Sequence, residues 1–287
     1  MNSRSSIINQ FVHIRMKKVV QTALVASLIV FLSSLPRFSQ LYSAQTRTGG
    51  AASSKPNIVL VPGAYEDGSI WTKVIRLLQA NGFHVTVVPI PLTSLAADAA
   101  MTKSVVARQQ APVILVGHSW GGVVITEAGN ESNVIGLVYV AALAPDAGEG
   151  SGDMLRQCPR KASSPIHTDE AGRKWLDTDA YPEAWAGDLD IADARVLAAT
   201  ERPIATRSFT DKVTQAAWRT KPFWFQISAN DMEQCAEVQR FKAKRMGAIT
   251  IELSASHASP LPRPDEVAKL IMDSAEKAGS TKVSGIH

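Results

Sequence analysis

Residues 117–121 read Gly-His-Ser-Trp-Gly, and their types and spacing point to nucleophilic catalysis. A serine hydroxyl is a poor nucleophile and has to stand where a base can reach it. A sharp turn from a strand into a helix exposes the serine in this way, provided that the residues two places before and after it are very small. Gly117 and Gly121 occupy those places, the apolar run Val113–Val116 leads in, and a helical stretch from Gly122 leads out. The competing reading, a glycine turn that cradles a dinucleotide, requires G-x-G-x-x-G, which is not present here. Ser119 is therefore the candidate nucleophile.

A nucleophile of this kind needs a base, and the base needs an acid to orient it, in the chain order serine, acid, histidine. Of the six histidines, His257 alone lies beyond Ser119 and just past a strand-like run, in Ser254-Ala255-Ser256-His257-Ala258. Asp231 follows the run Phe223–Ser228, at the edge of a sheet where functional side chains gather. Asp146 and Glu233 remain rivals for the acid. Acyl transfer also builds negative charge on the carbonyl oxygen, which prepositioned N–H donors must meet. The backbone N–H of Trp120, directly after the serine, is one candidate. The other is Ala64, in the turn Val61-Pro62-Gly63-Ala64 that closes the first apolar run.

These residues must be carried by something rigid. Short runs that are apolar almost throughout occur at Asn57–Val61, His84–Ile90, Pro112–Val116, Val134–Ala141, Phe223–Ser228 and Ile249–Leu253. Such runs suit strands buried on both faces of a parallel sheet. Helical stretches alternate with them, at Trp71–Asn81, Leu95–Gln110, Gly122–Gly129, Cys235–Met246 and Pro264–Ala278. The pattern predicts an α/β domain whose sheet is flanked by helices. From Ser151 to about Arg219 the strand rhythm stops, while Trp175, Tyr181, Trp185 and Trp218 accumulate. A structureless loop of that length is improbable inside a compact domain. A helical cap inserted at about 151–219 is expected, its tryptophans either packing or facing a ligand.

The net charge of +4 resides at the N-terminus. Residues 1–44 hold Arg4, Arg15, Lys17, Lys18 and Arg37 and no acid, so +4 less +5 leaves −1 for the rest. A nucleic-acid binder keeps its basic patch in the folded part, so nucleic acid is not expected as a partner. Arg15-Met16-Lys17-Lys18 followed by the apolar stretch Val19–Leu35 reads as an export signal, with an uncleaved membrane anchor as the alternative. Both place the domain outside the cytoplasm. Residues 45–55 are small and polar, a flexible lead-in to a domain over 56–287. Cys158 and Cys235 are then either a disulfide or two free thiols. Neither they nor the scattered histidines match a metal-binding spacing, and no cofactor or metal is expected.

With these residues assembled, the chain resembles the compact branch of the α/β-hydrolase superfamily that holds bacterial esterases, plant methylesterases and hydroxynitrile lyases. The resemblance is carried by VLVPGAYEDGSIW (59–71), VILVGHSWGG (113–122), LVYVAALAPDAGEG (137–150), ATERPIA (199–205), and the tail from PFWFQISAND to SASHASPLPRPDEVAKLI (222–271). It implies a six-stranded core and a triad of Ser119, Asp231 and His257. Two departures bear on the reaction. Pro62-Gly63 stands where most members have His-Gly. Gly63 and Ala258 stand where the lyases carry a threonine and a lysine. The expectation is hydrolysis of a small carboxylic ester through an acyl-enzyme. Lactone hydrolysis, carbon–carbon cleavage and slow-turnover ligand reception are the alternatives.

Overall fold

The computed structural model describes residues 55–158 and 166–283. The predicted export segment lies outside them. Among the described residues no helix is long and apolar enough to cross a membrane.

In chain order the elements are β1 (Asn57–Val61), a 3-10 turn (Gly68–Trp71), α1 (Thr72–Ala80), β2 (Val85–Val87), α2 (Leu95–Ala107), β3 (Val113–His118), α3 (Trp120–Ala128) and β4 (Val134–Val140). Then come α4 (Ser151–Leu155), β5 (Ile166–Thr168), β6 (Arg173–Leu176), α5 (Tyr181–Ala186), α6 (Ile191–Ala199) and β7 (Ile204–Ala205). The chain closes with β8 (Phe223–Ser228), α7 (Ala236–Met246), β9 (Ile249–Leu253) and α8 (Pro264–Val283). Six strands form one sheet in the order β2-β1-β3-β4-β8-β9, and every pairing is parallel. This is the α/β architecture expected from the sequence.

The apolar runs behave as their positions demand. β3 and β4 are buried at every residue, and β1 and β8 at all but the first. At the two edges β2 is half-buried and Ile249 of β9 is 51% exposed, because one flank of each strand has no neighbour. The run that was read as a strand from His84 to Ile90 leaves the ladder after Val87. Local chemistry sets the helix ends. Ser94 accepts a hydrogen bond from the N–H of Ala97 at the start of α2 (3.1 Å), and Gly247 takes the left-handed conformation that ends α7 (φ 75°).

Topology creates the crevice. From β1 the chain moves outward to β2 and then returns past β1 to β3. Right-handed crossovers therefore place α1 and α2 on opposite faces. α1 packs against α8, and α2 against α3. The loops after β1 and β3 consequently diverge, which opens a cleft at the carboxyl edge between these two strands. Ala64 and Ser119 sit there.

Residues 151–219 carry the helices α4, α5 and α6, together with an antiparallel three-stranded sheet, β5-β6-β7, absent from the sequence reading. Cys158, just after α4, forms a disulfide with Cys235 at the start of α7. Of the two cysteine readings, the bonded one holds.

Candidate active site

Ser119, between β3 and α3, takes a conformation that few L-residues adopt (φ 50°, ψ −118°). The turn is held by Ser119 N–H donating to Val140 O (3.2 Å) and by Ser119 O accepting from Gly122 and Leu143 (3.0 and 3.1 Å). The need for small neighbours is literal. A Cβ on Gly117 would lie 2.4 Å from the Gly121 carbonyl oxygen, and one on Gly121 would lie 2.4 Å from Val61 O. Two more non-glycine residues with positive φ, Tyr65 and Ala141, lie just past β1 and β4 at the same edge. Strain of this kind concentrates where function over-determines the backbone.

His257 is 1% exposed, and its Nδ1 donates to Asp231 Oδ2 at 2.7 Å. Asp231 accepts three further hydrogen bonds. Oδ1 takes the N–H groups of Glu233 and Gln234 (2.8 and 2.7 Å), and Oδ2 takes Gln239 Nε2 (2.8 Å). Gln239 is fixed in turn, since its Oε1 accepts from Ser228 N–H at 2.9 Å and its Nε2 donates to Gln234 O at 2.7 Å. Of the rivals for the acid, Asp146 forms a two-pronged pair with Arg219, while Glu233 lines the chamber but leaves His257 Nδ1 to Asp231.

Burial alone would push the His257 imidazole down. The charge and hydrogen bond of Asp231, aided by Glu66 and Glu233, outweigh it and hold the group above its ordinary value. The other ring nitrogen, Nε2, is buried and makes no hydrogen bond. It faces a cavity of about 30 Å³ that Ser119 also lines, together with Tyr65, Trp120, Trp185 and Phe209. Serine–histidine contacts of this type often lengthen without substrate. Ala64 and Trp120 border the same cavity. As the first residue of α3, Trp120 has an N–H with no intrahelical acceptor. A larger groove of about 350 Å³, lined by Leu189, Val196 and Leu197 of the cap, contains no nucleophile–base pair. The small chamber is therefore the candidate site.

The structure thus brings Ala64, Ser119, Trp120 and His257 around one chamber, with Asp231 joined to it through His257. A family model described as the alpha/beta hydrolase family matches residues 58–270. The chain belongs to the alpha/beta hydrolase family. The alpha/beta hydrolase nvfD of Aspergillus novofumigatus is 25% identical over 249 residues, spanning 78% of this chain and 98% of the relative. A pyrethroid hydrolase from Sphingobium faniae JZ-2 superposes with a TM-score of 0.65 at 22% identity, covering 77% of this chain and 97% of that one. The methylesterase MES16 from Arabidopsis gives 0.65 at 19% identity, covering 77% and 99%. Similarity at this level bears on fold, and the fold is shared.

Sequence reasoning missed three contributors. Glu66 and His118 form a buried contact (Oε2 to Nδ1, 2.9 Å) beside the site, and Asp98 anchors the Trp120 indole (Nε1–H to Oδ2, 2.8 Å). Burial pushes the Asp98 carboxyl up to about 6, against the Trp120 and Leu92 N–H donors and Arg202. His118 lies inside the glycine-serine motif, next to Ser119. Its partner is 52 residues away, so no local signal could have joined them. Trp185, by contrast, had been flagged, and it both packs and lines the chamber.

Proposed function

We propose that this hydrolase cleaves small carboxylic esters through an acyl-enzyme on Ser119, with His257 as base and Asp231 as the orienting acid. The observation that carries the reading is the divided imidazole. Its Nδ1 is committed to Asp231, while its buried Nε2 lacks a partner in the chamber that holds Ser119. A nitrogen so placed takes the Ser119 proton as Oγ attacks the ester carbonyl. Asp231 meanwhile steadies the imidazolium without itself taking a proton. The Ala64 and Trp120 N–H groups stabilise the oxyanion. Collapse expels the alcohol, which receives its proton from Nε2. Water, deprotonated by the same nitrogen, then attacks the acyl carbon, and the acid departs with Ser119 restored.

The chamber favours short acyl groups. It is walled by the aromatic rings of Tyr65, Trp120, Trp185 and Phe209, and Trp120 is pinned by Asp98. The test is hydrolysis of p-nitrophenyl acetate and longer homologues, with Ser119→Ala beside the parent protein. Turnover that is lost in the variant and declines with acyl length supports the proposal. Activity confined to long chains would overturn the size argument, and full activity of Ser119→Ala would overturn the mechanism.

We further propose that the domain works outside the cytoplasm. Support comes from the Cys158–Cys235 bond, which persists in oxidising compartments, and from the basic and apolar character of residues 15–35. Recovery of the chain from the cytoplasm with residues 1–44 intact would refute this.

A further inference from the structure

Glu66 lies in the loop after β1 and is 4% exposed. Its Oε2 accepts from Gly63 N–H at 2.8 Å and faces His118 Nδ1 at 2.9 Å. Its Oε1 accepts from the indole N–H of Trp185 at 2.8 Å. One carboxylate therefore joins the loop that carries Ala64, the turn that carries Ser119, and helix α5 of the cap. Burial pushes the Glu66 carboxyl up, but the adjoining His118, with His257 and the Gly63 N–H, brings it below its ordinary value.

Both distant partners of Glu66 act on the loop of His257. His118 Nε2 donates to the carbonyl oxygen of His257 at 2.8 Å. The Trp185 ring stands edge-on to the His257 ring, with centroids 4.3 Å apart, and Trp185 O accepts from Ala258 N–H at 3.0 Å. Just beyond α5, Asp188 accepts from Ser256 N–H at 2.8 Å. The base is thus gripped from the Ser119 turn, the elbow, on one side and from the cap on the other. A carboxylate that merely closed its own turn would need only Gly63. The partners 52 and 119 residues away meet at His257, which a local structural role leaves unexplained.

We propose that Glu66 is a positioning residue that couples the seating of the cap, through Trp185, to the alignment of the oxyanion loop and of His257. The proposal rests on the reading of Ser119 and His257 as nucleophile and base. Ionisable groups face His257 from each surrounding element. Asp231 and Glu233 come from the β8–α7 loop, Glu66 from the β1 loop and His118 from the elbow. From the cap, Asp188 bonds the neighbouring Ser256, and Tyr181 lies behind Trp185.

Glu66→Gln tests it. The amide keeps the volume but has one acceptor for three donors, and it removes the charge. The kcat for p-nitrophenyl acetate is expected to fall roughly ten- to hundred-fold, the scale of a base displaced by about an ångström, with KM little changed. The acidic limb of the pH profile should move to lower pH. Trp185→Phe, which removes the N–H donor together with one ring of the indole, should lower kcat and leave that limb in place. A folded Glu66→Gln protein with parental kcat and pH profile would overturn the proposal. If Glu66→Gln does not fold, Trp185→Phe decides alone, and parental kcat there overturns it. If the parent itself hydrolyses no ester, the hydrolase reading fails separately. The His257 titration, followed by NMR in the parent and in Glu66→Gln, then decides the coupling, and an unmoved midpoint rejects it.

Discussion

Replacing Asp231 by asparagine changes one atom and sets two of its four hydrogen bonds at odds. With its oxygen at the Oδ1 position, the amide still accepts from Glu233 and Gln234. Its NH2 then faces two donors, Gln239 Nε2 and His257 Nδ1. Gln239 escapes only by flipping, which would forfeit its bonds to Ser228 N–H and Gln234 O. The easier response is for His257 to move its proton to Nε2, the nitrogen that must accept from Ser119. Loss of the correct tautomer in comparable triads costs about four orders of magnitude in kcat. At about 1.4 kcal/mol per decade this is roughly 5 kcal/mol of barrier. A buried donor left unmatched adds about 1–3 kcal/mol of lost stability. The assay is steady-state hydrolysis of p-nitrophenyl acetate with a parallel melting curve, and Asp146→Asn serves as comparison. Asp146 bonds Arg219, so its variant should retain parental kcat. An Asp231→Asn protein within about tenfold of parental kcat, or an Asp146→Asn protein that loses activity, would refute the assignment.

Because His257 is held above the ordinary imidazole value of about 6.5, kcat/KM should rise with pH through a midpoint above that value, and a midpoint well below it would contradict the geometry. The same shift gives the charged His257–Asp231 pair a stability contribution that is complete below about pH 6.5 and fades as pH rises through the folded-state value. Lys242 is buried, and desolvation brings its ammonium down to about 7 despite the pull of Asp231. Its only hydrogen bond among the described residues is to Gln234 Oε1 (3.2 Å). Lys242→Met should therefore be neutral or stabilising at pH 7, by up to about 3 kcal/mol, and a clear drop in Tm would show that the ammonium is needed. Reduction of Cys158–Cys235, which spans 77 residues, should cost about 2–4 kcal/mol, read as a Tm that falls on adding a phosphine reductant.

The parts legible in the sequence were those whose chemistry is local. β1, β8 and β9 have the ends read from their apolar runs, and the Gly117–Gly121 turn is a steric rule written in five residues. β2 was read too long because Ile90 is buried without bonding to β1, and a run of apolar residues does not distinguish burial from pairing. The cap sheet escaped notice for the opposite reason. Its strands have three, four and two residues, and His167, Thr168, Arg173 and Lys174 give them no apolar signal. Asp231 was separable from Asp146 only by partners that the fold supplies. Glu66 was invisible, since a carboxylate in a turn looks solvated until its distant partners are known.

The bond between Cys158 and Cys235 also makes the intervening chain a closed ring, containing β5, β6 and β7, α5 and α6, β8, and Asp231 itself. A protease that cuts anywhere inside that ring produces two pieces that stay tethered, and the tether is anchored four residues beyond Asp231. A nicked molecule would run as one band without reductant and as two with it. It would still carry Ser119 on one piece and His257 on another that cannot diffuse away, with Asp231 on either according to the cut.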